Sequence, residues 1–280
     1  MTPAAFDSLA ALLKTKSGLA IGPDKLYLLK TRLAPILKQE NLASLTALAD
    51  RLRVPGHDTL ARTVVEAMTT NESFFFRDDK PFAHFRAQAL PSLHTARPPG
   101  AKLRIWSAAS SSGQEAYSLA MILAECGARL AGRTMEILGT DIARDQLARA
   151  REGRYTQFEV QRGLPVQLLM KYFTKDEAGW RVNDPIRALA TFREWNLLGD
   201  LRPLGSFDVV FCRNVLIYFD QPTKTRVLEA IARQMPADGV LYLGGAETVL
   251  GITGRFVPLA GQYGVYGLAG DAAAAQRLAS

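Results

Sequence analysis

Four short strings in this chain combine residue types and spacings suited to chemistry. The apolar run from Leu103 to Ala108 leads into Ser107-Ala-Ala-Ser-Ser-Ser-Gly113-Gln-Glu115-Ala-Tyr-Ser. Small side chains at such a turn let a ligand approach the backbone. The first N–H groups of the helix that follows favour an electronegative ligand. A second apolar run ends in Gly139-Thr-Asp141, followed by Ile142. A carboxylate at the carboxyl end of a strand in an open α/β sheet can accept hydrogen bonds from ribose hydroxyls. Each signal alone has an equally good structural reading: a plain strand-to-helix turn for the loop, and a helix N-cap for Asp141. Together they suggest an adenosine ligand. The loop is not G-x-G-x-x-G, so the dinucleotide fingerprint is missing, and S-adenosylmethionine is favoured over NAD.

The other two strings are more specific. One is Thr69-Thr-Asn71-Glu-Ser73-Phe-Phe-Phe-Arg77-Asp; the other is Phe207-Asp-Val-Val-Phe-Cys-Arg213-Asn214-Val-Leu-Ile-Tyr218-Phe-Asp. With Arg104-Ile-Trp-Ser107, they resemble the chemotaxis receptor methyltransferases, the CheR family, over nearly the whole chain. The resemblance implies methyl transfer from S-adenosylmethionine to glutamate side chains of a chemoreceptor, leaving S-adenosylhomocysteine. It implies that Asn71, Ser73 and Arg77 fold over the cofactor, with Glu115 in the cofactor loop and Asp141-Ile142 at the ribose. Asn196-Leu197 match the pair beside the adenine, and Asn214-Val215 the pair at the end of the fourth strand. Arg77 and Tyr218 match the residues nearest the transferred methyl. Some positions depart from the family pattern. Ser73 replaces a threonine but keeps the hydroxyl. Gln114 and Ala116 replace Glu and Pro, and Gly244-Gly-Ala-Glu247 replaces G-H-S-E.

That chemistry suits these residues. A glutamate side chain is ionised at neutral pH, with a reference pKa of about 4.3, so as a nucleophile it needs no general base. The site must instead position the carboxylate in line with the methyl and strip part of its water. Arg77 is expected to orient one carboxylate oxygen, and Tyr218 to hold the carboxylate or the methyl-bearing centre. The bland alternatives are a salt bridge from Arg77 to Asp78 or Asp79, and a core position for Tyr218.

Composition narrows the field further. The chain has 280 residues, 34 basic and 27 acidic, for a formal charge of +7. Such an excess favours acidic partners. The two cysteines have no Cys or His at zinc-ligand spacing, and the three histidines are scattered, so neither a metal site nor a Ser-His-Asp triad is expected. No stretch is long and apolar enough for a membrane span, and the apolar start has no basic n-region, so a cytoplasmic protein without membrane insertion is expected. Basic and aromatic residues do not interleave as nucleic-acid binding would require. A non-catalytic module that senses S-adenosylmethionine is the main alternative to an enzyme.

The elements that must position these residues change texture along the chain. Residues 1–92 read as helices, and Pro35 should kink or end the second of them. Residues 93–280 alternate strands and helices, which argues for an α/β, Rossmann-like methyltransferase domain with a mostly parallel sheet. Residues 156–190 break the alternation and read as a small β-subdomain insertion, while 272–280 form a small-residue tail. Lys25, Lys30, Arg32, Arg51 and Arg53 on the N-terminal helices are expected to offer a basic groove to the acidic cytoplasmic helix of a receptor. The family's peptide-binding subdomain loop carries Gly-x-Gly. Here Tyr172-Phe-Thr-Lys-Asp-Glu-Ala-Gly-Trp180 does not. Docking without a C-terminal peptide tether, by a monomer, is therefore expected.

Overall fold

The computed structural model describes residues 1–130 and 132–270; the tail at 272–280 lies outside them. Contacts divide the chain into two compact units. One comprises Met1–Thr70 with Tyr218–Lys224, and the other Asn71–Ile217 with the chain from Thr225 onward. The division falls at 70/71, earlier than the 92/93 expected from the sequence. The reason is packing: Phe75, Phe82, Phe85, Leu90 and Leu93 are buried in the core of the sheet-containing unit.

The first unit is built on helices Pro3–Ser17, Leu26–Gln39, Leu45–Arg53 and Asp58–Met68. Thr2 and Ser44 cap two of them by accepting N–H bonds from Ala5 and Ala47. Their apolar stripes meet in a core that includes Leu9, Leu13, Leu29, Leu33, Leu48 and Val64. Pro35 does not end the helix, which continues to Gln39. Pro35 forfeits one helical hydrogen bond. The buried Leu33 and Ile36 on either side offset that, at roughly 1.5–3 kcal/mol each. Tyr218–Lys224 belongs to this unit through a Leu19–Phe219 bridge, an Ala20 N–H bond to the Tyr218 carbonyl at 2.9 Å, and a Lys14–Asp220 ion pair at 2.6 Å.

Among the described residues the second unit holds ten strands: β1 Leu103–Ala108, β2 Met135–Asp141, β3 Arg154–Tyr155, β4 Phe173–Asp176, β5 Gly179–Val182, β6 Ala190–Glu194, β7 Val209–Cys212, β8 Val240–Leu243, β9 Phe256–Pro258 and β10 Val265–Leu268. Seven form one sheet in the order β6-β2-β1-β7-β8-β10-β9. It is parallel from β6 to β8, with β10 and β9 antiparallel at one edge. The buried faces of β1, β7 and β8 explain the near-continuous apolar runs seen in the sequence. The sequence reading missed β6 and β9. In β6 only Ala190 and Phe192 are buried, so this edge strand has no apolar run to announce it. The remaining strands pair as a small antiparallel sheet, β3-β5-β4. With helices Gln157–Gln161 and Val166–Tyr172 it forms the insertion, opened by a Thr156–Glu159 capping box.

Register decides where the chemistry sits. Ala108 of β1 lies beside Thr140 of β2 and Cys212 of β7, Cys212 lies beside Leu243 of β8, and Asp141 lies beside Glu194 of β6. The loops that leave these strands therefore share the carboxyl edge of the sheet, where open α/β sheets bind ligands.

Candidate active site

The loop after β1 turns sharply, with Ala109, Ser111 and Gly113 at positive φ, before the helix Gln114–Cys126. Three buried serines fill it. Ser111 N–H donates to Asp141 Oδ2 at 2.8 Å, and Ala143 N–H donates to Oδ1 at 2.9 Å. Burial pushes the Asp141 carboxyl above its ordinary range, while N–H donors from Ala143, Ser111 and Ile142 pull it down. Two carboxylate oxygens offer about four acceptor sites, so Asp141 keeps capacity beyond these bonds. Beside it, Ser110 Oγ is buried without a hydrogen-bond partner among the described residues. An unused donor and a carboxylate with spare lone pairs, at the carboxyl edge, fit the hydroxyls of an adenosine-class ligand.

Segment 71–77 lies against this loop. Ser111 Oγ donates to the Asn71 carbonyl at 3.0 Å, and Phe76 N–H donates to Ser118 Oγ at 3.0 Å. Ser73 and Arg77 are half-buried on the same segment. Arg77 makes no ion pair with Asp78 or Asp79 among the described residues. Its Nη1 donates to the Glu72 carbonyl at 3.0 Å, and Asp78 pairs instead with Arg213 at 2.7 Å.

Arg213, directly after β7, joins these parts. Its Nη2 donates to the Arg77 carbonyl at 2.6 Å, and its Nη1 donates to Glu115 at 3.0 Å. The Arg213 side chain is 1% exposed and that of Glu115 13%. Ser107 Oγ donates to the other Glu115 oxygen at 2.8 Å. Burial raises the Glu115 pKa, and Arg213 and Ser107 oppose that shift. Arg77 and Glu115 are thus tied through one guanidinium, and Asn71 and Asp141 through Ser111.

The chain after Arg213 is held by Glu247. This buried carboxylate accepts N–H bonds from Asn214 (2.8 Å), Val215 (2.9 Å), Leu216 (2.7 Å), Ile217 (3.3 Å) and Gly244 (2.7 Å). Asn214 is at φ 58°, and a Cβ on Gly244 would lie 2.7 Å from the Asn214 amide nitrogen Nδ2. Tyr218 follows at once and is half-buried rather than in the core. Beyond β6, Trp195 N–H donates to the Asp141 carbonyl at 2.9 Å, which brings Asn196 and the buried Leu197 to the same edge.

The basic residues expected on the helices divide in two. Arg32 donates to the carbonyls of Met68 and Thr69 and to the Thr70 hydroxyl. Arg51 pairs with Glu40, and Arg53 with Asp50. Lys25 and Lys30 are exposed, and their side chains have no ion-pair or hydrogen-bond partner among the described residues. Sequence reasoning assigned no role to Arg213, Ser111 or Glu247. Arg213 and Glu247 stand in the quoted strings, but nothing in their type marks them as the joints of the site. Both cysteines are buried, and no described helix is long and apolar enough to cross a membrane.

Comparison with known proteins places this arrangement. Residues 71–265 match the family described as CheR methyltransferase, SAM binding domain, and residues 4–69 match CheR methyltransferase, all-alpha domain. The chain is 36% identical to chemotaxis protein methyltransferase Cher2 of Pseudomonas putida, covering 90% of this chain and 92% of that one. It is 39% identical to chemotaxis protein methyltransferase 1 of Pseudomonas aeruginosa, over 87% and 90% of the two chains. A Vibrio parahaemolyticus chemotaxis protein methyltransferase is 37% identical over 87% of this chain and 89% of its own.

Proposed function

This chain belongs to the CheR methyltransferase family, an enzyme family whose cofactor is S-adenosylmethionine, and from that premise we propose that it esterifies glutamate side chains on the cytoplasmic helices of a chemoreceptor. The observation that carries this reading is the Arg213 joint, which ties the segment bearing Arg77 to the cofactor loop at Glu115. The bound cofactor supplies an electrophilic methyl on a sulfonium. Asp141, Ile142, Asn196 and Leu197 hold its adenosine, and Glu115, Asn71, Ser73, Asn214 and Val215 its remaining polar groups. Arg77 orients the substrate carboxylate. Among the described residues its guanidinium makes no ion pair, since Asp78 pairs with Arg213 and Glu72 with Arg162. Tyr218 holds the carboxylate against the methyl-bearing centre. No side chain need remove a proton, because the nucleophile is already ionised at neutral pH.

Lys25 and Lys30 carry the docking of the acidic receptor helix, because Arg32, Arg51 and Arg53 are engaged within their own unit. The enzyme works in the cytoplasm as a monomer, without a peptide tether and without nucleic acid. The test is transfer of labelled methyl from S-adenosylmethionine to receptor-containing membranes, read as base-labile release of methanol. Base-labile label on the receptor is the expected result. Tight calorimetric binding of S-adenosylhomocysteine with no label on any receptor of the same cell would favour a cofactor sensor instead. The altered loop residues Gln114 and Ala116 motivate that alternative.

A further inference from the structure

Segment 71–77 is gripped from the insertion. Arg162 stands in the turn between the helices Gln157–Gln161 and Val166–Tyr172. Its Nη2 donates to the Glu72 carboxylate at 2.5 Å, and its guanidinium carbon lies 4.1 Å from the centre of the Phe74 ring. Arg77 rests on the same two residues. Its Nη1 donates to the Glu72 carbonyl at 3.0 Å, and its guanidinium carbon is 5.3 Å from the Phe74 centre. Gly163, which follows Arg162, is at φ +81°, and a Cβ there would lie 2.1 Å from the Phe75 carbonyl oxygen. Phe75 in turn packs edge-on against Tyr155 at 4.9 Å and Phe173 at 5.6 Å, both from strands of the insertion. The backbones of segment and insertion therefore meet with no room to spare.

Charge gives this contact a consequence. Glu72 is the acid next to Arg77 on the segment, and both arginines draw its carboxyl below the ordinary range, Arg162 most strongly. Bound to Arg162, the Glu72 carboxylate leaves the Arg77 guanidinium with a carbonyl and a ring as its contacts. Released, it becomes an internal carboxylate within reach of the group that must receive the substrate's carboxylate. Opposite charges a few ångströms apart at a protein surface attract more strongly than in bulk water.

We propose that Arg162 is a positioning residue for methyl transfer: it sequesters Glu72 and braces Phe74, so that Arg77 stays in place and open to the substrate glutamate. The insertion thereby serves the reaction directly, as a wall behind segment 71–77. This rests on the reading of Arg77 as the group that orients the substrate carboxylate.

Arg162 is exposed at the surface, so Arg162→Ala leaves the fold intact. An exposed ion pair and a cation–π contact together convert to about a tenfold effect. Arg162→Ala should lower receptor kcat/KM about tenfold, with the KM for S-adenosylmethionine unchanged. Adding Glu72→Gln should return it to within about threefold of the parent, a rescue that a purely structural role would not give. Arg154→Ala breaks another exposed ion pair of the insertion, with Asp176, and should leave the rates at the parent value. A fully active Arg162→Ala protein, or a double variant no better than the single, overturns the proposal. Amide exchange supplies a readout independent of activity. Peptides covering 71–77 should exchange about fivefold faster in Arg162→Ala, and peptides of β1 should not change. Equal exchange in the two proteins overturns the positioning role even if the enzyme is active. Faster exchange in a protein that transfers no methyl upholds it while the functional reading falls.

Discussion

Two stretches of the sheet-containing unit, 71–77 and 214–217, are secured by opposite means. The second begins on a single buried carboxylate, Glu247, which collects five backbone N–H groups. In a low-dielectric site such bonds are strong, and any one left unmade is expensive. The first is tied at one end by the buried Arg213, but its polar middle relies on the exposed Glu72–Arg162 pair and on contacts with the Phe74 face. Exposed pairs of that kind contribute about 1 kcal/mol or less each. One stretch is therefore held by buried backbone hydrogen bonds, and the polar side chains of the other by exposed contacts.

Changing Glu247 to Ala should produce the largest effect. It strands several buried N–H groups, and we expect a loss of about 4 kcal/mol in denaturant unfolding together with loss of S-adenosylhomocysteine binding. A loss below about 1 kcal/mol would break the comparison, since the loop would then be held by something else. Arg77→Ala should do the reverse, lowering turnover about a hundredfold while stability stays within about 0.5 kcal/mol. A folded Arg77→Ala enzyme with full turnover would refute the role given to this arginine.

Smaller effects sharpen the picture. Lys25→Glu combined with Lys30→Glu should lower receptor kcat/KM about fivefold and flatten its salt dependence, while cofactor binding by calorimetry stays put. An unchanged salt profile would move the docking surface elsewhere. The smallest effect concerns Asp220, in the helical unit. Lys14 and Thr223 hold the Asp220 carboxyl down at about 2, below its ordinary 3.8. A depressed acid stabilises the fold above its unfolded pKa, and that contribution disappears as pH falls from about 4 towards 2. Because Lys14 is largely exposed, we expect only about 1 kcal/mol. Acid unfolding of Lys14→Ala should lack that share, and identical acid curves for the two proteins would assign the shift no role.

Much of the site was legible because its signals are local. The runs at 103–108, 136–140 and 207–212 are apolar because those strands are buried on both faces, and burial of that kind writes itself into consecutive residues. Edge strand β6 writes only two inward residues, so it passed unseen. Pro35 looked like a kink or an end of the helix because propensity is local, while the burial of Leu33 and Ile36 that keeps the helix going is not. The domain boundary shifted for the same reason. Segment 71–93 is helical in texture, yet Phe75, Phe82 and Phe85 are buried in the core of the sheet-containing unit.

The sequence by itself determined the α/β class, the strings that carry the chemistry, and the charge balance that favours an acidic partner. Residue type and near-neighbour spacing are enough for each of these. Only the tertiary structure decided which polar group serves which. Arg213 meets Glu115 98 positions away and Arg77 136 positions away. Glu247 meets the loop after β7 across about thirty positions. Asp78, a natural partner for its neighbour Arg77, is given to Arg213. A charged side chain has many potential partners along a chain. Burial selects among them, because leaving a charge unpaired in the low-dielectric interior is costly.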